Sequence, residues 1–382
     1  MDVIPWANEL NDLHRRVGLC FFRKEPRDRA LDYLKGLLGS SERKNGWQLA
    51  EHAGELVPYG MQRLLRVAQW DTDGARDVLQ GYVKDRFGSQ GGALVVDETG
   101  FIKKGRESAG VKRQYSGTAG KVENCQVGVF LYYAAATGGG AFLDRELYLP
   151  EDWIDDWERC DDAGIPAGIP KDTPFRTKPT QARIMLARAR EAGFQPDWTL
   201  GDAVYGSDPR LRQELEGWAW PHVLAIKTTE PLRPRTDGGL ITRTAAEVAR
   251  TIAADHWRRL SAGDGTKGPR VYDWATEPLI VPGVTTGAHT LLVRRSLADR
   301  DDLALFLVFT THPTPLEEMV RAAGLRWTIE AGFETAKGEV GLDHYEVRQW
   351  VAWYRHITLA LLAHAFLAVI MAQEAPGEKK ES

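Results

Sequence analysis

Ala93-Leu94-Val95-Val96-Asp97-Glu98-Thr99-Gly100-Phe101-Ile102-Lys103-Lys104-Gly105-Arg106 is the stretch that decides the reading of this chain. Four consecutive apolar residues bounded by turn signals suit a buried strand, and here they deliver Asp97 to a turn and then to a run of cations. A carboxylate at the end of a buried strand is a hard oxygen ligand for a divalent ion. Cations immediately after it suit a polyanion. The pattern predicts a metal site beside a phosphate backbone.

One acid cannot supply such a site, and two others follow. Trp198-Thr199-Leu200 leads through Gly201 to Asp202 and then to Val204-Tyr205-Gly206, a second strand ending in an acid. Glu330 lies in Arg326-Trp327-Thr328-Ile329-Glu330-Ala331-Gly332-Phe333, whose periodicity is helical. On that helix Arg326, Glu330 and Lys337 fall near one face, because steps of four and seven residues approximate whole turns. Glu334 and Glu339 are alternative third acids on the same helix.

In order and setting, Asp97, Asp202 and Glu330 resemble the DDE triad of RNase H-like transposases. Arg326, Glu330 and Lys337 resemble the R-x3-E-x6-K signature of the IS4-like group. Longer stretches, DETGFIKKG, GVKRQYSGTAGKVENCQVGVF, DRELYLP, GDAVYG and RWTIEAGFETAKGEVGLDHYEVRQW, are similar to insertion-sequence transposases of the IS701 type. The likeness runs from the ERKNGW segment at Glu42 to HAFLAV at Val369. Two positions depart from it. The IS4-like signature has a Tyr where this chain has Ala323, and the IS701 type commonly has Glu where this chain has Ala203.

The resemblance implies an α/β protein: an RNase H-like catalytic core interrupted by a β-rich insertion, with an N-terminal helical domain. The expected divisions are a helical, DNA-binding domain at 1–88, the first part of the core at 89–206, the insertion at 207–312, helices completing the core at 313–373, and a tail at 374–382. It implies that Asp97, Asp202 and Glu330 are the catalytic residues and the ligands of two Mg²⁺ ions, with Mn²⁺ able to substitute. Lys103, Lys104, Arg106, Arg113, Arg326 and Lys337 are the expected DNA contacts. The implied partners are double-stranded DNA, as terminal inverted repeats and target, and further copies of the chain in a homodimer or larger synaptic assembly.

Read without the resemblance, the residues sketch the same plan. Helical spacing of Leu31, Leu34, Leu37, Leu38, Leu64 and Leu65 predicts short N-terminal helices, with Trp47, Gln62 and many arginines among them. Gly88 to Gly92 reads as a hinge. Strands are expected at Leu94–Val96, Gln126–Tyr133 and Phe142–Leu149, then a surface connection from Pro150 to Pro174, a helix from Pro179 to Ala192 and a strand at Trp198–Leu200. Strand-like runs at 222–227, 279–281, 290–294 and 303–310 fill the insertion. The glycine-rich loop from Lys103 to Lys121 suits a segment that closes on DNA. Tyr205 and Trp327 read as core aromatics, as do His356 and His364 on the last helix.

Hydrophobic residues at 43% and charged residues at 27% are ordinary for a globular protein. No uninterrupted apolar run approaches the roughly 20 residues of a membrane span, and the first residues lack a signal-peptide pattern. The expected location is the bacterial cytoplasm, at the nucleoid when bound to DNA, with no membrane partner. The three cysteines form no metal-binding or disulfide pattern. A net charge of −4 argues against nucleic acid only if it is evenly spread, and here Lys103, Lys104, Arg106, Lys112, Arg113 and Lys121 cluster. Two other functions remain open on the sequence: a domesticated transposase that binds DNA as a regulator without cutting, and an RNase H-like nuclease acting on hybrids or junctions.

Overall fold

The computed structural model describes residues 4–167, 176–235, 241–265, 268–281 and 287–374. Five helices come first: α1 (Ile4–Val17), α2 (Lys24–Leu38), α3 (Gly46–His52), α4 (Tyr59–Arg66) and α5 (Thr72–Phe87). Asn45 and Asp71 start α3 and α5 by accepting hydrogen bonds from backbone amides one turn in.

A meander follows, made of β1 (Ala93–Ile102), β2 (Lys112–Ser116), β3 (Lys121–Ala134) and β4 (Gly140–Leu147). Two short helices, α6 (Glu151–Ile154) and α7 (Trp157–Asp162), lead towards α8 (Lys178–Glu191), which crosses to β5 (Trp198–Gly201). After α9 (Ala203–Gly206) and α10 (Pro209–Gly217) comes β6 (His222–Ile226). Strand β3 lies antiparallel to both β1 and β4, while β5 runs parallel to β1 and β6 parallel to β5. The order β4-β3-β1-β5-β6 is that of an RNase H-like sheet.

The remaining elements are β7 (Pro231–Leu232), β8 (Arg243–Thr244), α11 (Ala245–Thr251), β9 (Arg258–Gly265), β10 (Gly268–Leu279), β11 (Ala288–Arg295), β12 (Leu303–Thr310), α12 (Leu316–Leu325), α13 (Trp327–Val340) and α14 (Trp350–Glu374). Here the structure departs from expectation. His222–Ile226 is the fifth strand of the core, and the β-rich segment continues that core sheet through β12, β11, β10 and β9. The result is one sheet of ten strands. Strands β2, paired to β3 within the expected loop, and β9, mostly exposed, went unforeseen because they are polar edges, β7 and β8 because they are two residues each, and the run expected at 279–281 meets β10 only at Leu279.

The glycine link at 88–92 does not separate two cores. Buried residues of the N-terminal helices, among them Leu34, Leu64 and Leu79, belong to the same cluster as Val95, Phe130 and Leu361. Hydrogen bonds cross between them: Tyr33 to His356 at 2.8 Å, and buried Lys44 to the carbonyls of Leu37, Gly39 and Glu339. The conspicuous ERKNGW segment is thus partly a clip that gathers the C-terminal ends of α2 and α13 around one ammonium, where helix dipoles favour a cation. DRELYLP has a similar explanation. Asp144, Arg145 and Glu146 are buried on β4, where Arg188 bonds Asp144 and Glu146, and Arg145 reaches Asp73 and Thr358. A buried charge network of this kind is costly to break by removing a single partner.

Helix α14 runs for 25 residues and is long and apolar enough, by composition, to cross a membrane, contrary to the sequence reading. Most of it is buried inside this fold, as a core helix would be. His356 and His364 are buried there as expected, and burial pushes them down to about 3 and about 4.

Close backbone approach explains Gly206, the last residue of α9. A Cβ there would lie 1.9 Å from the carbonyl oxygen of Ala225 on β6. Gly206→Ala should therefore cost about 1–3 kcal/mol in a denaturant titration. An unchanged midpoint would contradict the tight α9–β6 packing.

Candidate active site

Register puts the first two acids side by side. In the parallel pair Val96 stands opposite Gly201, so the next residues, Asp97 and Asp202, emerge as neighbours where β5 ends. Asp97 is not at the end of its own strand, as expected, because β1 continues to Ile102 paired with β3. It marks the end of the parallel pairing. Asp202 also caps α9, accepting the Val204 amide at 2.8 Å, which fixes its side chain.

Glu330 comes from the first turn of α13, and its bond to the Asp97 side is made by Arg326. One guanidinium nitrogen donates to Asp97 Oδ2 at 3.1 Å and the other to Glu330 Oε1 at 2.6 Å. Glu334 and Glu339 are exposed, and neither has a hydrogen bond to the other acids among the described residues. Gly332 lets α13 approach the sheet, since a Cβ there would meet the Tyr132 ring at 2.8 Å.

Electrostatics show what the site lacks. Burial pushes Asp97 up to about 7, with the charges of Asp202 and Glu98 adding to the rise and Arg326 opposing it. Asp202 is raised as well, by burial and then by Glu98. Buried carboxylates crowded in this way ionise fully only with more positive charge than Arg326 supplies. The donors are hard carboxylate oxygens, and the residues therefore fit Mg²⁺. Among the described residues no three acidic, histidine or cysteine side chains already converge closely enough to hold an ion. Arg326, bonded to both Asp97 and Glu330, supplies the positive charge between them.

Glu98 escaped the sequence reading. Alternation along β1 sends it to the opposite face from Asp97. There it accepts from Lys178 Nζ at 2.6 Å and from the Tyr205 hydroxyl at 2.5 Å. Tyr205 is fully buried and its hydroxyl is raised well above its ordinary range by burial and then by Glu98. The pair ties β1 to the turn that carries Asp202. The only signal was adjacency in Asp97-Glu98, which does not say where a side chain goes.

The expected DNA contacts divide into two groups. Lys337 sits on the Asp97 face, donating to Thr99 Oγ1 at 2.8 Å and Thr118 Oγ1 at 3.0 Å. Lys103 lies over the Tyr345 ring at 3.5 Å, and burial brings it down to about 8, so its ammonium is already engaged. Lys104, Arg106 and Arg113 are exposed and make no ion pair among the described residues. They line a cleft of about 1330 Å³, which the three carboxylates do not line. Trp327 is 42% exposed beside Arg326 rather than a core aromatic, because α13 turns that position outward from the sheet.

An RNase H-like sheet with two neighbouring strand-borne aspartates and a helix-borne glutamate defines a DDE-type nuclease. Residues 16–269 match the family model of DDE superfamily endonucleases, and residues 174–366 match that of the transposase DDE domain. Asp97 and Asp202 fall in the first match, Asp202 and Glu330 in the second. The chain is 28% identical over 329 residues to a probable transposase for insertion sequence element IS701 from Microchaete diplosiphon, covering 84% of this chain and 77% of that one. The chain belongs to the DDE transposase family, in its IS701 type.

The raised Asp97 has a consequence for stability. Its folded pKa lies above the unfolded value of 3.8, so ionisation opposes folding as pH rises from about 4 through about 7. In EDTA, Asp97→Asn should melt higher than the parent chain at pH 8, by about 3 °C, with the gap closing towards pH 4. Mg²⁺ should raise the melting temperature of the parent only. A variant less stable at pH 8 would contradict the charge crowding.

Proposed function

We propose that the chain binds the terminal inverted repeats of its insertion sequence and catalyses metal-dependent strand cleavage and strand transfer. The observation that carries this reading is the pairing of Val96 with Gly201, which sets Asp97 beside Asp202, together with the Arg326 guanidinium that bridges Asp97 to Glu330. Asp97, Asp202 and Glu330 would hold the Mg²⁺ ions, which neutralise charge on the scissile phosphate and make water or a 3′-hydroxyl a better nucleophile.

The chain's own residues prepare that chemistry. Glu98, clamped by Lys178 and Tyr205, fixes the spacing between the two aspartate-bearing strands. Arg326 holds Asp97 and Glu330 in orientation before substrate arrives, and its fork geometry suits a phosphate once those bonds loosen. Lys337, steadied by two threonine hydroxyls, offers a second cation to the backbone on the same face. Such catalysis rests on positioning and charge neutralisation, so losing one carboxylate removes rate without unfolding the protein.

Two DNA ends must be brought together, and a homodimer or larger assembly of this chain does so in this reading. The DNA it meets is the bacterial nucleoid. A chain serving as a DNA-binding regulator would have no use for all three acids, which favours the catalytic reading.

Labelled duplex carrying the ends that flank the gene tests it. The parent chain with Mg²⁺ should nick at the element boundary, and Asp97→Ala should lose at least about 100-fold in rate while binding the ends equally well. Binding by both without any cleavage would leave the regulator reading in its place.

A further inference from the structure

The cleft of about 1330 Å³ is built from parts of the chain that the carboxylate site does not use, the segment 345–352 with Glu346 and Arg348 among them. Helices α3 and α4 contribute Trp47 and Arg66, the connection from β1 to β2 contributes Lys104 and Arg106, and α7 contributes Glu158 and Asp162. Trp47 is 52% exposed, an unusual setting for so large an apolar ring. Arg66, Lys104 and Arg106 are exposed and have no ion-pair partner among the described residues. Lys112 and Arg159, by contrast, are engaged, Lys112 with Asp152 and Arg159 with the carbonyls of Arg106 and Val111.

Cations, an open aromatic face and carboxylates in one cleft do not suit a duplex. The cleft's acids stand among its cations, since Arg159 of α7, between Glu158 and Asp162, bonds the Arg106 carbonyl, and a duplex with phosphates on both flanks would meet them. A single strand has phosphates along one side and base edges along the other. It can give its phosphates to Arg66, Lys104 and Arg106 and stack a base on Trp47. Base amino groups, such as cytosine N4, can donate to the carboxylates. Strand β1 joins the two sites, since Asp97 lies on it and Lys104 follows its end. Five residues from Asp97 to Ile102 span about 17 Å. The cleft is thus several nucleotides removed from the carboxylates.

We infer that this cleft binds an unpaired DNA strand, the flank released or melted beside the element end, while the carboxylates act on the neighbouring duplex. The inference rests on the transposase reading for the identity of the ligand.

Fluorescence anisotropy with a labelled single-stranded oligonucleotide and a blunt duplex, each titrated at several salt concentrations, tests it on the full chain. Trp47→Ala should weaken single-strand binding about tenfold and leave duplex binding unchanged. Arg106→Ala should also weaken it and flatten its salt dependence. Arg106 is exposed, so this variant decides the matter if Trp47→Ala melts early. Unchanged single-strand binding in both variants overturns the inference, and so does an equal loss on duplex. Nicking assays run alongside separate the two readings. Selective single-strand loss in the variants, beside a parent chain that never nicks, supports the cleft and removes the cleavage reading instead.

Discussion

Parallel pairing of β1 with β5 is the constraint on which the site depends. Because Val96 faces Gly201, two acids about a hundred residues apart in sequence are forced out of the sheet at the same place. No side chain chooses this; the backbone ladder does, and a slip of one residue would turn each acid to the other face. Everything nearby then serves to tolerate the crowding. Arg326 neutralises part of it, the Val204 amide takes part of Asp202's charge, and Lys178 offsets the charge of Glu98, which adds to the crowding.

The cost of that arrangement is visible in Asp97, raised to about 7 by burial and by its acidic neighbours. A fold selected only for stability would place an apolar residue there. Crowded, desolvated carboxylates with a single bridging guanidinium form a site under electrostatic tension that a divalent cation relieves. Arg326 is the counter-ion of Asp97 and Glu330, and in the proposed function it then serves as a cation for substrate phosphate. Its position in α13, one turn before Glu330, makes both possible.

The carboxylates were legible in sequence because each lies where local pattern is strongest. Asp97 and Asp202 each follow a short apolar run, and Glu330 lies on a helix whose inward stripe includes Ile329 and Phe333. Helix α8 and strand β5 matched their expected limits closely, since Thr177 caps the one and both are flanked by turn residues. Polar edges were not legible. Strands β2 and β9 are held by backbone bonds to their neighbours, with little burial to leave a pattern. The continuity of the sheet from β6 into β12 was hidden for another reason. Pairing between strands some eighty residues apart leaves no trace in either. Side-chain partners were least legible of all: nothing in Lys103 foretold the Tyr345 ring, or in Trp327 its exposure.

The central claim is that Asp97, Asp202 and Glu330 share one divalent-ion site once Arg326 gives way. Replacing Mg²⁺ with Fe²⁺ and adding hydrogen peroxide, with ascorbate to re-reduce the iron, generates hydroxyl radicals at the ion, which cut the nearest polypeptide. The account predicts that the chain is cut at three places together, beside residues 97, 202 and 330, and that Mg²⁺ in excess suppresses all three cuts. Cleavage beside only one of them, or at an unrelated cluster, would contradict it.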